Sequence, residues 1–273
     1  MTRTETPLPD AQQLYVDWEG AHWSAHDIDL SRDRADMAGL DDSERLLLYF
    51  ALSSLMVAEE RISTQFVGLV LAQDDEEDGS FLCTQLVDEV RHMQFYARFQ
   101  SEVVTDPSSI GSHVARSRAV LEAPFRLLFD EALVQAHARL VSDPRNRAAK
   151  VDFVTIYHLV LEGTLGVTTS HFLLGFLRSR GVLPGFVAGY SKITADEGRH
   201  ITYGTQFLRQ AVAADRGMGD VVRRRLHELM PAITETLSPP DSMIAVLGAQ
   251  PGALVEHGLG ALRRRLEMIG VEF

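Results

Sequence analysis

Two five-residue runs carry much of the chemistry in this chain, Asp88-Glu89-Val90-Arg91-His92 and Asp196-Glu197-Gly198-Arg199-His200. In an α-helix, residues three apart share a face. Glu89 with His92, and Glu197 with His200, therefore each aim a carboxylate and an imidazole at one point. Such a pair suits iron, manganese or zinc. A lone Glu-x-x-His says little, but a repeat of the whole Asp-Glu-x-Arg-His frame is hard to assign to chance. Two single glutamates extend the set. Glu162 interrupts the apolar stretch Tyr157 to Gly163, and Glu59 falls on the stripe of Leu48, Leu52, Leu55, Ile62, Phe66 and Leu69. A lone carboxylate in either place is costly to bury. The neighbouring Glu60 is the alternative to Glu59, and the apolar face favours Glu59. Four acids offset two divalent cations. One glutamate from each of two helices and Glu-x-x-His from each of two others is the dinuclear pattern of a four-helix bundle. The candidate metal ligands are Glu59, Glu89, His92, Glu162, Glu197 and His200.

Metal-bound histidines pass their second N–H to a carboxylate or carbonyl. Asp196 is placed to orient His92, and Asp88 to orient His200. Tyr96, one turn after His92, and Tyr157, five residues before Glu162, are the phenols expected nearest the metals. Arg91 and Arg199 read as ion-pair residues, and His158 and His171 as structural histidines on apolar helices.

These residues need long helices to hold them. Periodicity predicts metal-binding helices over about 41–73, 81–104, 145–180 and 184–214, with Gly181 ending the third and Pro184 opening the fourth. A helix bent or divided at Pro124 is expected over 112–141, and shorter ones over 219–236 and 252–268. The acidic run Asp74 to Asp78 with Gly79 reads as a loop. No alternating strand is evident. The expectation is an all-α chain forming a single bundle domain over 1–273.

Composition sets the outer bounds. The chain has 273 residues, 45% hydrophobic and 23% charged, with a formal net charge of -12, which argues against nucleic acid as a partner. Its one cysteine, Cys83, excludes an intramolecular disulfide framework and fits a reducing compartment. Neither a signal peptide nor a membrane span is expected, which points to the cytoplasm.

From about Trp23 to Gly204 the sequence resembles the ribonucleotide reductase small-subunit superfamily, a ferritin-like group of dinuclear metalloproteins. The segment Trp23 to Asp33 is similar to that group's entry segment. There a Trp, an Asp and a ligand His form an electron-transfer path, matched here by Trp23, Asp196 and His92. Within the superfamily the nearer likeness is to the ligand-binding oxidases related to the reductase small subunit. Glu59-Glu60-Arg61-Ile62 resembles their first-ligand motif, with a branched aliphatic residue at plus three. Tyr157 holds the position of the tyrosine that becomes joined to that side chain by an ether bond. Asp196 to Gly204 is similar to their last-helix motif.

The resemblance implies a ferritin-like four-helix core with additional helices and a homodimer. It implies a manganese/iron centre, or a di-iron one, that activates dioxygen, with Ile62 and Tyr157 as the oxidised pair. It also implies an apolar channel for a long-chain fatty-acid-like ligand, whose walls depend on Phe66, Phe172 and Phe176, and an external electron donor of unknown kind. Tyr96 stands where a reductase subunit keeps its radical tyrosine, so a reductase small subunit is the alternative. Against it, the last tyrosine is Tyr203, and Leu266 to Phe273 lacks the tyrosine-bearing tail of such subunits. Amine N-oxygenases of related fold carry a histidine where Ile193 stands. Iron storage is a third alternative, opposed by the helices beyond residue 215.

Overall fold

The computed structural model describes residues 8–73, 75–104, 110–119 and 121–273. Every regular element among the described residues is a helix, with no strand among them. A short N-terminal helix α1 (Ala11–Gly20) and α2 (Asp33–Gly39) precede the long α3 (Asp42–Leu71) and α4 (Glu76–Phe99), which continues as a π-helical turn, Gln100–Val104. Then come α5 (Ile110–Arg118), α6 (Ala123–Arg126), a π-helical Leu127–Ala132 and α7 (Leu133–Ser142). The third long rod is α8 (Arg147–Val154), a π-helical Thr155–Gly166 and α9 (Val167–Arg180); the fourth is α10 (Pro184–Ala214). Helices α11 (Gly217–Thr236), α12 (Asp241–Val246) and α13 (Ala253–Ile269) complete the chain.

Local chemistry explains these boundaries. Asp41 accepts from the Ser43 and Glu44 N–H groups while Glu44 accepts from the Asp41 N–H, a capping box that opens α3. The acidic run corrects the expected loop. Asp75 caps α4 by accepting from Glu77 and Asp78, and Glu76 to Asp78 form its first turn, where negative charge suits the helix dipole. Gly79 therefore lies inside the helix; Asp74 lies outside the described residues. Of the two forms expected around Pro124, the division is the one found: the proline opens α6, since it costs nothing in a first turn.

Helix α10 has a cap built at a distance. Leu183 precedes Pro184 in a left-handed conformation, with φ of 53°, and offers no side-chain cap. Buried Asp33 on α2 instead accepts from the N–H groups of Gly185 (2.9 Å) and Phe186 (2.6 Å), and Asp36 accepts from Leu183 (2.9 Å). Gly185 permits the approach, because a Cβ there would lie 2.3 Å from the Asp29 carbonyl oxygen. Gly204 does the same between rods: a Cβ would lie 2.2 Å from the Cβ of His158.

The rods pack as a four-helix bundle, and the core falls into two apolar clusters. One gathers Ile62, Phe66, Leu82, Tyr157, Leu161 and Tyr203. The other gathers Met56, Phe95, Tyr96, Phe186, Tyr190 and Ile193. Along α3 the clusters meet between Met56 and Ile62; along α4, between Leu82 and Phe95; along α10, between Ile193 and Tyr203. A buried polar layer fills that gap. The rod Arg147–Arg180 is long and apolar enough to cross a membrane, but 67% of its most apolar window is buried in the bundle, as a core helix requires.

Candidate metal centre

The polar layer is built from one side of each rod. Glu59 comes from α3, Glu89 and His92 from α4, Glu162 from the π-helical segment, and Glu197 and His200 from α10. Their ligand-type atoms fall into two groups, Glu59, Glu89, His92 and Glu197, and Glu89, Glu162, Glu197 and His200. Within each group these atoms lie within 4.8 Å of one another. Glu89 and Glu197 belong to both. His92 Nδ1 lies 3.7 Å from Glu59 Oε2, 3.4 Å from Glu89 Oε2 and 3.4 Å from Glu197 Oε1. His200 Nδ1 lies 3.3 Å from Glu89 Oε1 and 3.5 Å from Glu162 Oε1.

Five of these buried atoms have no hydrogen-bond partner: Glu59 Oε2, Glu89 Oε2, His92 Nδ1, Glu162 Oε2 and His200 Nδ1. Buried polar atoms are seldom left so, because each forfeits its hydration. Here all five converge on one place and are of the types that bind manganese or iron. The residues fit a dinuclear centre. Glu60, by contrast, turns outward to Arg118 and Arg61.

Electrostatics tell the same story. Burial pushes Glu59 up to about 8 and Glu162 well above the usual carboxylate range; Glu197 is raised for the same reason. Burial also opposes charge on His92 and His200, yet the surrounding carboxylates hold both imidazoles protonated well above the ordinary value. In the metal-free chain, protons take the place of cations in balancing four buried acids.

Around this layer the two repeats are crossed. His92 Nε2 pairs with Asp196 Oδ2 at 3.2 Å, and His200 Nε2 with Asp88 Oδ2 at 3.2 Å. Each aspartate thus orients the imidazole on the opposing helix and turns its Nδ1 toward the centre. Trp23 Nε1 donates to Asp196 at 2.8 Å. Burial pushes the Asp196 carboxyl up, but His92, Trp23 and Arg199 together hold it down to about 2. Arg91 pairs with Asp88 (3.0 Å) and Asp196 (3.6 Å), and Arg199 with both as well.

Two residues escape the sequence reading. Gln85 Nε2 donates to Glu162 Oε1 (3.1 Å) and Glu89 Oε1 (3.4 Å), while its carbonyl oxygen faces His158 Nε2 (3.3 Å). It sits one turn before Glu89, so the helical period did hold the signal. Trp18, on α1, donates from Nε1 to Asp88 at 2.8 Å. Nothing in its spacing announces this, because α1 shares no periodic pattern with α4.

The Tyr157 hydroxyl donates to Glu89 Oε1 at 2.7 Å, and burial with the Glu89 charge lifts it well above the ordinary phenol value. Tyr96 is fully buried and its hydroxyl has no partner. An apolar cavity of about 180 Å³ has Glu59, Glu162 and Glu197 in its walls, together with Ile62, Tyr96, Leu55, Phe125, Phe129 and Phe172. Phe66 instead packs on Tyr157 (4.9 Å between centroids), and Phe176 is buried in the second apolar cluster.

Residues 4–236 match the family described as ribonucleotide reductase, small chain. The chain belongs to that family. Its fold is the ferritin-like one of that family, an all-α bundle with added helices. Among solved structures it is similar to variants of an R2-like ligand-binding oxidase. One, with an aerobically reconstituted Mn/Fe cofactor, is 23% identical with a TM-score of 0.84, covering 99% of this chain and 95% of that one. A second, with an anaerobically reconstituted Mn/Fe cofactor, is 24% identical with a TM-score of 0.82 over the same shares. A third, at 23% identity and a TM-score of 0.84, carries a non-activated Mn/Mn cofactor.

Proposed function

We propose that this small-chain family member is a dioxygen-activating dinuclear oxidase, loaded with manganese and iron or with two irons. The observation that carries the reading is the convergence of five unpartnered ligand atoms from four rods. Glu59 and His92 would hold one ion, Glu162 and His200 the other, and Glu89 and Glu197 both. When bound, two such ions supply a site for dioxygen and electrons to reduce it. The protein's part is to fix the imidazoles through Asp88 and Asp196 and to keep water out with the two apolar clusters.

The apolar cavity supports the ligand-binding version of this activity, as does the likeness to structures named ligand-binding oxidases. It would take an apolar, long-chain fatty-acid-like ligand whose end reaches Glu59, Glu162 and Glu197. Tyr157 is poised to give its proton to Glu89. An ether bond from its oxygen to the Ile62 side chain would remove one hydrogen from each residue, the two electrons passing to dioxygen. A homodimer in a reducing, cytoplasmic compartment completes the proposal.

The unpartnered Tyr96 hydroxyl favours a second reading, a reductase-type subunit that stores a tyrosyl radical. One experiment separates the two. The protein is reconstituted aerobically with manganese and iron together, then analysed for metal content and intact mass. One ion of each metal and a loss of two hydrogens, absent from Tyr157→Phe, is the expected result. Two irons, an unchanged mass and a tyrosyl radical signal lost in Tyr96→Phe would favour the second reading. No bound metal would overturn both.

A further inference from the structure

A second recess lies between α9, α10 and α13, a cleft of about 890 Å³, which is within the roughly 300–1,000 Å³ of small-molecule sites. Its walls carry Arg178, Arg264, Arg265, His171 and His257, and among the described residues Glu197 is the only acid that lines it. The whole chain has 38 acids against 26 lysines and arginines, so the cleft reverses the prevailing charge. Among the described residues no carboxylate pairs with any of the three arginines. Arg178 donates to Ser191 Oγ (2.9 Å) and Arg265 to the Ala261 carbonyl (2.9 Å). Arg265 is half-buried against the π-helical segment, where Gly163 makes room: a Cβ there would lie 3.2 Å from the Arg265 Nε. Burial and the neighbouring Arg264 charge push its guanidinium down, and Glu162 offsets them only in part. A cation drawn out of water beside a second cation, with no acid paired to it, is destabilised until an anion arrives. Burial, His171 and then the same two arginines lower His257, whose ring stacks on His171 at 4.2 Å between centroids. Arg264, Arg265 and the two histidines thus form one basic cluster, with Arg178 two turns along α9 from His171.

We infer that this cleft binds an organic phosphate, its phosphate group on Arg264 and Arg265 and its apolar part against Val167, Leu174 and Ile201. The inference is independent of the dinuclear reading. Charge decides against a carboxylate. A phosphate monoester carries about −1.5 to −2 charge at pH 7 and three acceptor oxygens, enough to balance both arginines, whereas a carboxylate balances one. Guanidinium forks also take phosphate oxygens in pairs. A cleft of one sign with low-dielectric walls concentrates anions at its mouth even though the molecule as a whole repels them. The apolar cavity described above has no lysine, arginine or histidine among its wall residues, so the two recesses select different ligands. No bond forms or breaks on binding.

The test is calorimetric titration of the metal-loaded protein with phenyl phosphate, inorganic phosphate and benzoate, alongside sedimentation with phosphatidic acid or phosphatidylcholine vesicles. Phenyl phosphate should bind at one site per chain, at least about tenfold more tightly than inorganic phosphate or benzoate. Arg264→Gln should weaken it at least about tenfold. Arg263→Gln makes the same charge change on an exposed neighbour outside the cleft and should weaken it less than about twofold. Both variants should keep the wild-type metal content and melting temperature. Arg265→Gln should match Arg264→Gln; if it fails to fold, the exposed Arg264 still decides. Co-sedimentation with phosphatidic acid alone, lost in Arg264→Gln, would support the site with a lipid headgroup as its source; phenyl phosphate binding without co-sedimentation would support a soluble ester. No binding by either route, equal affinity in Arg264→Gln and Arg263→Gln, or benzoate or inorganic phosphate bound as tightly as phenyl phosphate would overturn the inference. Binding that disappears when the metals are chelated would place the phosphate on the centre and overturn it as well. Each of these outcomes leaves the function reading to the reconstitution described above.

Discussion

At the scale of single residues, the centre is held by atoms that do not touch a metal. Gln85 is the clearest case. Its amide N–H groups reach Glu162 and Glu89 and its carbonyl faces His158, so it fixes two carboxylates from different rods at once. His158 needs that contact only as a neutral ring, since burial holds its imidazole down to about 3. Gln85→Leu keeps the volume and removes both donors. Losing such an outer contact typically costs about 10–100-fold in metal affinity. A Mn(II) titration should therefore show at least about a tenfold weaker binding in Gln85→Leu, with helical content unchanged; wild-type affinity would show that the amide merely fills space. The convergence of Glu59, Glu89, His92, Glu162, Glu197 and His200 was legible because three-residue spacing on long helices fixes direction. Gln85 was equally legible in principle, four residues before Glu89. Trp18 was not, because its contact with Asp88 joins residues 70 positions apart with no shared period.

At the scale of elements, the four rods follow from apolar periodicity and caps, and the errors follow from features that periodicity does not encode. The stretch Asp75–Asp78 has composition in common with a loop and with a helix first turn; only the capping geometry of Asp75 separates them. The π-helical segment Thr155–Gly166 reads as ordinary helix in the sequence, yet its wider turns carry both Tyr157 and Glu162. The short helices α1, α2 and α12 have too few turns to show a stripe. One of them controls a rod. Helix α2 supplies Asp33, whose buried carboxylate satisfies two N–H groups at the start of α10. Asp33→Ala should leave both unsatisfied in a dry site, at about 1–3 kcal/mol. For a chain of this size that lowers the melting temperature by roughly 2–10 °C. Calorimetry of the metal-loaded protein checks it. A change below that range would mean that water enters and replaces the carboxylate.

At the scale of the whole molecule, the chain concentrates four acids in a dry layer although its net charge is already -12. That arrangement is tolerable in the metal-free state because the layer takes up protons. His92 and His200 are raised well above the ordinary imidazole value, and Glu59 is raised to about 8. The sign of the pH dependence follows. The imidazolium–carboxylate pairs stabilise the metal-free fold fully below the unfolded imidazole value, and that stability is lost as pH rises through the raised folded values. Metal ions displace the same protons from both imidazoles and from Glu59. Binding must therefore strengthen with rising pH by about tenfold per proton released per unit. Titration with Mn(II) at pH 6.5 and 7.5, in buffers of different ionisation enthalpy, should show proton release and tighter binding at the higher pH. Chelation should then destabilise the chain more at pH 7.5 than at 6.5. A free metal concentration near 100 times the dissociation constant raises stability by about 2.7 kcal/mol, and that gap closes as protons return. Affinity independent of pH, with no protons released, would mean that His92, His200 and Glu59 hold no displaceable protons in the metal-free chain, and would refute this account.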